Sequence, residues 1–155
     1  MVKNKTSIKF SIGVCFFVAA VLLGLVFFGP QVFRFYMVAY RGFSPTGEAL
    51  AMLTTVFSWC FYSSAIFATV ILYFLLKLLF HIKEEAVFIP ENATCLKVIS
   101  YCLLIIGIIT FVGGFFYMPF MFVSAAGLFT GMLLRVLKNV FCSAIELREE
   151  NDLTI

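Results

Sequence analysis

The sequence VISYCLLIIGIITFVGGFFYMPFMFVSAAGLFTGMLL, residues Val98 to Leu134, runs for 37 residues without a charged side chain. A helix of that length would measure about 55 Å, and one crossing of a bilayer needs only about 30 Å. The stretch is therefore too long for one transmembrane helix and just long enough for two. Gly113, Gly114 and Pro119 lie near its centre, where they favour a turn. It predicts a tight hairpin of two helices, Cys95 to Phe116 and Met118 to Leu137.

Two shorter uncharged stretches lie upstream of this one. They contain 24 residues from Phe10 to Phe33 and 28 residues from Ala49 to Leu76, and each predicts one transmembrane helix. Gly29-Pro30 is expected to end the first helix, which leaves an outer loop from Gln31 to Glu48. The chain is thus predicted to be a single all-α membrane domain, 1–155, with spans at about 10–29, 49–76, 95–116 and 118–137, a cytoplasmic loop at 77–94 and a cytoplasmic tail at 138–155.

Composition supports the same class of protein. Of the 155 residues, 63% are apolar and only 12% are charged, about half the charge of an ordinary soluble domain. So few charges cannot cover the surface of a water-soluble fold of this size. A soluble monomer, a disordered chain and a direct nucleic-acid-binding domain are therefore excluded, and a protein of the lipid bilayer is left.

The distribution of lysine and arginine predicts the orientation. Four spans place nine of these residues on one side of the membrane and two on the other, whereas three spans would place six against five. Cytoplasmic loops carry the excess of positive charge. The sequence therefore predicts an integral membrane four-helix bundle in the plasma membrane, with its N-terminus and C-terminus both in the cytoplasm.

No Asp, Glu, Lys, Arg or His lies in the middle of any predicted span. Coupled transporters and pumps keep ionisable residues at this depth because function requires them. The milder hydroxyls of the second span, among them Thr54, Ser58 and Thr69, are expected to bond to helix carbonyls. The alternative is a substrate path lined by these hydroxyls. We expect no catalytic residue, no cofactor and no metal, and hence no enzyme.

Small residues recur at four-residue spacing in three of the spans. Such spacing lets two helix backbones approach closely inside lipid. Packing within the chain is the favoured interpretation, and a homodimer through the pair in the last span is the alternative. The candidate helix-packing residues are Ala20, Gly24, Ser64, Ala68, Gly127 and Gly131.

Two cytoplasmic segments carry the remaining polar features. In the first, a helix is expected to continue to about Ala86 and a new helix to begin near Pro90 to Asn92, where Pro90 suits a first helical position and Glu91 suits the positive helix start. His81 and Glu84 lie on one helical face and could supply two metal ligands, but a solvated helix surface is favoured because the chain has no second histidine.

The second segment is the tail. Residues Glu146 to Asp152 contain four carboxylates against one arginine, and Leu153-Thr154-Ile155 follow as an apolar ending. An acidic run at a chain end is commonly loose and solvated. The apolar ending is expected either to fold back beside Val87 to Ile89 or to bind a cytoplasmic partner.

The motif Phe88-Ile89-Pro90-Glu91-Asn92, together with the ending Leu147-Arg148-Glu149-Glu150-Asn151-Asp152-Leu153-Thr154-Ile155, resembles the bacterial membrane family catalogued as domain of unknown function 2975. The length and the four predicted spans agree with that family. The resemblance implies a small plasma-membrane protein without an established activity. It also implies a context, because members are often encoded beside a short helix-turn-helix regulator.

These features favour a non-enzymatic regulatory or adaptor protein that acts on a cytoplasmic partner such as a DNA-binding regulator. The alternative is a small transporter, a channel-like protein or an immunity protein that works through the membrane helices. The candidate partner-binding residues are Phe88, Glu91, Asn92, Glu149, Glu150, Asn151, Asp152, Leu153 and Ile155.

Overall fold

The computed structural model describes the backbone of residues 2–84 and 89–152, and the side chains of 8–84, 89–148 and 150. Within these ranges the chain forms four α-helices, and each is long and apolar enough to cross a membrane. They are α1 (Val2–Arg41), α2 (Glu48–Lys83), α3 (Pro90–Gly114) and α4 (Pro119–Asp152). The second and third are separated by Glu84 to Ile89, of which residues 85–88 lie outside the description.

The helices pack in chain order. Helix α1 contacts α2, α2 contacts α3, and α3 contacts α4 in the most extensive interface of the three. In the described residues, backbone contacts join helices that are neighbours in the chain, and the ring of Phe57 in α2 also stacks on Phe120 in α4 at a centroid distance of 5.8 Å. Lipid is as apolar as leucine, so hydrophobicity alone does not decide which helices touch. Close packing follows small residues and hydrogen bonds instead.

An aromatic cluster joins the end of α1, the start of α2 and the turn between α3 and α4. Phe33, Met37 and Leu50 are buried at its centre. The ring of Phe33 stacks on Phe57 at a centroid distance of 4.0 Å and meets Tyr117 edge-on at 5.4 Å. The α1–α2 connection and the α3–α4 turn therefore lie at the same end of the molecule, which we call the turn end.

The expectation that Gly29-Pro30 ends the first helix is wrong. Helix α1 continues through Pro30 to Arg41, and the loop shrinks to residues 42–47. Proline has no N–H to donate to the carbonyl one turn back, here that of Val26. The hydroxyl of Tyr62 in α2 donates to this carbonyl oxygen at 3.3 Å and replaces the missing bond. Gly29 also allows contact with α2, because a Cβ there would lie 3.0 Å from the ring of Phe61.

Tyr62→Phe tests this account of the proline. The substitution removes only the hydroxyl that satisfies Val26, so we expect the free energy of unfolding to fall by about 0.6–1 kcal/mol, the usual strength of a hydrogen bond between helices in lipid. Unfolding in mixed detergent micelles measures it. Tyr73→Phe is the matched control on the same helix, since the Tyr73 ring is exposed and packs edge-on against Phe74. Equal stability of both variants would contradict the role of Tyr62.

The α3–α4 interface is built on glycine and serine. A Cβ at Gly127 would lie 3.4 Å from the carbonyl oxygen of Leu103, and one at Gly131 would lie 3.2 Å from that of Ser100. The hydroxyl of Ser100 donates to the Gly131 carbonyl at 2.7 Å, and Ser124 donates to the Gly107 carbonyl at 2.7 Å. Both glycines of the last span thus face α3 of the same chain.

The other small-residue pairs are placed differently. Nothing lies within 4 Å of a Cβ built at Gly24, and Ala20 is exposed, so this face of α1 does not pack against the described chain. Ser64 and Ala68 are partly buried in α2. The predicted hydroxyl bonds are present, because Thr54, Ser58 and Thr69 each donate to the carbonyl one turn back.

Candidate functional site

The end opposite the turn end contains the connection between α2 and α3, and we call it the junction end. Helix α2 ends at Lys83, earlier than the predicted Ala86, which is itself outside the described residues. Helix α3 begins with Pro90 in its first turn and Glu91 beside it, as expected from the sequence. Proline suits this position because its absent N–H would be unpaired there anyway.

A hydrogen bond ties these two helix ends together. The Nδ1 atom of His81 lies 2.8 Å from the Oδ1 atom of Asn92. Because Asn92 Oδ1 is an acceptor, this contact requires the proton on Nδ1. His81 is half-buried and not on the solvated surface that the sequence favoured, and its Nδ1 faces Asn92.

Asn92 is fully buried, with 0% of its surface exposed. The structure thus buries a side chain that the sequence offered as a candidate for partner binding. A buried amide is costly unless its hydrogen bonds are made, so Asn92 fixes the start of α3 against α2. Ala93, Cys95 and Leu96 are buried beside it, which makes the junction a packed unit.

Exposed groups surround this packed unit. Glu91 and Thr94 are exposed and line a cleft of about 170 Å³ with Phe74, Lys77, Pro90 and Cys95. A second cleft of about 290 Å³ lies between α3 and α4 and contains Lys97, Lys138 and Glu146 among its lining residues. The junction end therefore offers polar surface of both signs at the point where α2, α3 and α4 leave their apolar segments.

Helix α4 continues past this polar surface. It contains 34 residues and is about 51 Å long, well beyond the roughly 30 Å of a hydrocarbon core. Glu146, Leu147, Arg148 and Glu150 are exposed on it. The backbone of the acidic segment is helical to Asp152.

Several of the other candidate partner-binding residues lie outside the part of the chain that the structure describes. Glu149, Asn151 and Asp152 belong to the helical backbone of α4, but their side chains are not described. Phe88, Leu153 and Ile155 lie outside the described residues, and so does the predicted contact between the apolar ending and Val87 to Ile89. What the structure brings together at the junction end is thus Glu91, the clefts and the acidic extension of α4.

Four long apolar helices define a multi-pass membrane protein. A family model described as "Protein of unknown function (DUF2975)" matches residues 44–155, from the α1–α2 loop to the last residue given. The chain belongs to this family. The matched region includes both segments on which the resemblance rested. Comparison with curated proteins found no match, and comparison with solved structures found none either.

Proposed function

We propose that this protein is a non-enzymatic regulator or adaptor of the bacterial plasma membrane, which presents a docking surface to a cytoplasmic partner. The observation that carries the proposal is the helical extension of α4, whose acidic residues are exposed beyond the apolar part of the helix. A surface that is already helical loses little conformational entropy when a partner binds.

Helix direction and charge support the proposed orientation of the protein. The α1–α2 and α3–α4 connections share the turn end, so successive helices run in opposite directions. Arg34 and Arg41 belong to the turn end, whereas the larger share of lysine and arginine belongs to the junction end. The positive-inside rule then supports a cytoplasmic junction end and cytoplasmic termini.

The charge of the extension supports a cationic partner. Glu146 and Glu150 are exposed on it, and Glu149 and Asp152 belong to the same helical segment. A DNA-binding regulator carries basic surface that attracts such a helix. An acidic helix bound to that surface would compete with DNA, so the membrane protein would hold the regulator away from its operator.

The experiment is co-purification of the membrane protein with a helix-turn-helix regulator of the kind that the family resemblance implies as a neighbour. We expect removal of residues 146–155 to abolish the complex, and Glu146→Lys with Glu150→Lys to weaken it by about tenfold or more, because rim charges govern encounter. Glu48→Lys is the control, since this exposed carboxylate lies at the turn end. A complex that survives removal of the tail would contradict the proposal.

A further inference from the structure

We propose that a pocket between α3 and α4 binds the phosphate group of an anionic phospholipid. The basic pocket, as we call it, has a volume of about 160 Å³, and six of the described residues line it: Lys97, Ser100, Tyr101, Arg135, Lys138 and Asn139. Three of the six are cationic and none is acidic, a composition that selects an anion. This site is separate from the acidic extension and does not depend on the proposed regulatory function.

Among the residues whose side chains are described, the polar groups that line the basic pocket include no acid. The hydroxyl of Ser100 donates to the Gly131 carbonyl, and Lys138 Nζ lies 3.5 Å from Asn139 Oδ1, a neutral acceptor. The Arg135 guanidinium lies 5.6 Å from the centroid of the Tyr101 ring, which orients it without neutralising it. Arginine and lysine that converge in this way are the usual ligands of phosphate oxygens.

The nearest described acid on α4 does not belong to the pocket. Glu146 follows Lys138 by two helical turns, about 12 Å along the axis, and lines the adjoining cleft instead. Lys97 and Lys138 border both spaces. No acid among the described side chains lines the basic pocket, so an external anion is the counter-ion that we propose.

The depth of the pocket favours a lipid over a free anion. Lys97 lies about 26 Å along α3 from the turn end, and Arg135 lies about 24 Å along α4 from it. This distance approaches the thickness of the hydrocarbon core, so the pocket lies at headgroup level when the turn is at the opposite interface. Basic pockets between helices at this level bind lipid headgroups.

An apolar surface for the acyl chains continues from the pocket. Tyr101, Ile105 and Ile108 share one face of α3 and are all exposed, and Met132 is exposed on α4 one turn before Arg135. A headgroup held by Lys97, Arg135 and Lys138 would direct its chains along this surface. A free phosphate ion would make no use of it, which is why we infer a phospholipid.

Native mass spectrometry of the full chain, purified from membranes that contain phosphatidylglycerol, tests the inference. We expect bound phosphatidylglycerol to persist through detergent washing. The variant K97Q/R135Q/K138Q should retain about one tenth as much phosphatidylglycerol as the native chain or less, because its charge-assisted bonds to phosphate are lost. The control K77Q/K83Q/R148Q loses the same charge from exposed positions outside the pocket and should retain lipid as the native chain does.

Two further measurements keep the test independent of folding. Arg135→Gln alone removes one cation and should lower retention while leaving the helical circular dichroism spectrum unchanged. Thermal unfolding of the native chain should shift upward in nanodiscs with phosphatidylglycerol relative to phosphatidylcholine alone. Equal lipid loss in the two triple variants would overturn the inference, and so would stabilisation by inorganic phosphate in detergent without any effect of phosphatidylglycerol.

Discussion

Replacement of Gly107 by alanine is expected to lower the free energy of unfolding by about 1–3 kcal/mol, the usual cost of overpacking a close interface. A Cβ at Gly107 would lie 2.7 Å from Cγ of Leu128 and 3.2 Å from its backbone nitrogen. The second of these atoms cannot rotate away, so the helices must separate. Separation would also stretch the bond from Ser124 to the Gly107 carbonyl.

Gly24→Ala should instead raise the free energy of unfolding. Nothing lies within 4 Å of a Cβ there, and alanine favours the helix over glycine by up to about 1 kcal/mol. Both variants are compared by detergent-induced unfolding that is followed by circular dichroism. A Gly107→Ala protein as stable as Gly24→Ala would show that α3 and α4 do not rely on close backbone contact.

Asn92→Ala is expected to lower the free energy of unfolding by a similar amount, about 1–3 kcal/mol, because it leaves a half-buried imidazole without its partner. Asn92 is fully buried and its Oδ1 lies 2.8 Å from His81 Nδ1. Loss of this contact should loosen the start of α3 before it affects the α3–α4 interface. Hydrogen exchange at residues 90–96 should therefore accelerate more than exchange at the turn end.

A double-mutant cycle isolates the contact. His81→Ala and Asn92→Ala should together cost less than the sum of the two single changes, because either one already breaks the bond. Glu91→Ala is the control, since Glu91 is exposed next to Asn92 and should change stability little. Additive costs for His81 and Asn92 would mean that the hydrogen bond does not stabilise the junction.

Charge spacing in the sequence predicts the four apolar helices, and the preferences of Pro90 and Glu91 for a helix start predict where α3 begins. The prediction that the first helix ends at Pro30 is wrong, because the sequence shows the hydrogen bond that proline loses but not the hydroxyl of another helix that replaces it. Tyr62 follows Val26 by 36 residues and reaches its carbonyl only after α1 and α2 pack. The order in which the helices pack is also beyond the sequence pattern, since apolar content sets membrane insertion but does not decide which helix faces touch.

The candidate site was less predictable than the helices. Asn92 is a polar residue near a predicted helix start, where exposure to solvent is the usual expectation, and its burial depends on α2 bringing His81 to within hydrogen-bond distance of it. The cations of the basic pocket are visible in the sequence, but there they indicate only orientation. Lys97 and Arg135 are far apart in the chain, and only the α3–α4 packing sets them around one cavity. The hydroxyl of Ser100 joins these two helices, but apart from the small size of this residue the sequence does not indicate such a contact.

The central claim is that the chain crosses the membrane four times with its junction end in the cytoplasm. Fusions that end at Ser44, Glu84, Tyr117 and Ile155 test it most directly, each made with alkaline phosphatase and with green fluorescent protein. We predict active phosphatase after Ser44 and Tyr117, and fluorescence after Glu84 and Ile155. Active phosphatase after Ile155, or the same reporter active after both Ser44 and Glu84, would contradict the account.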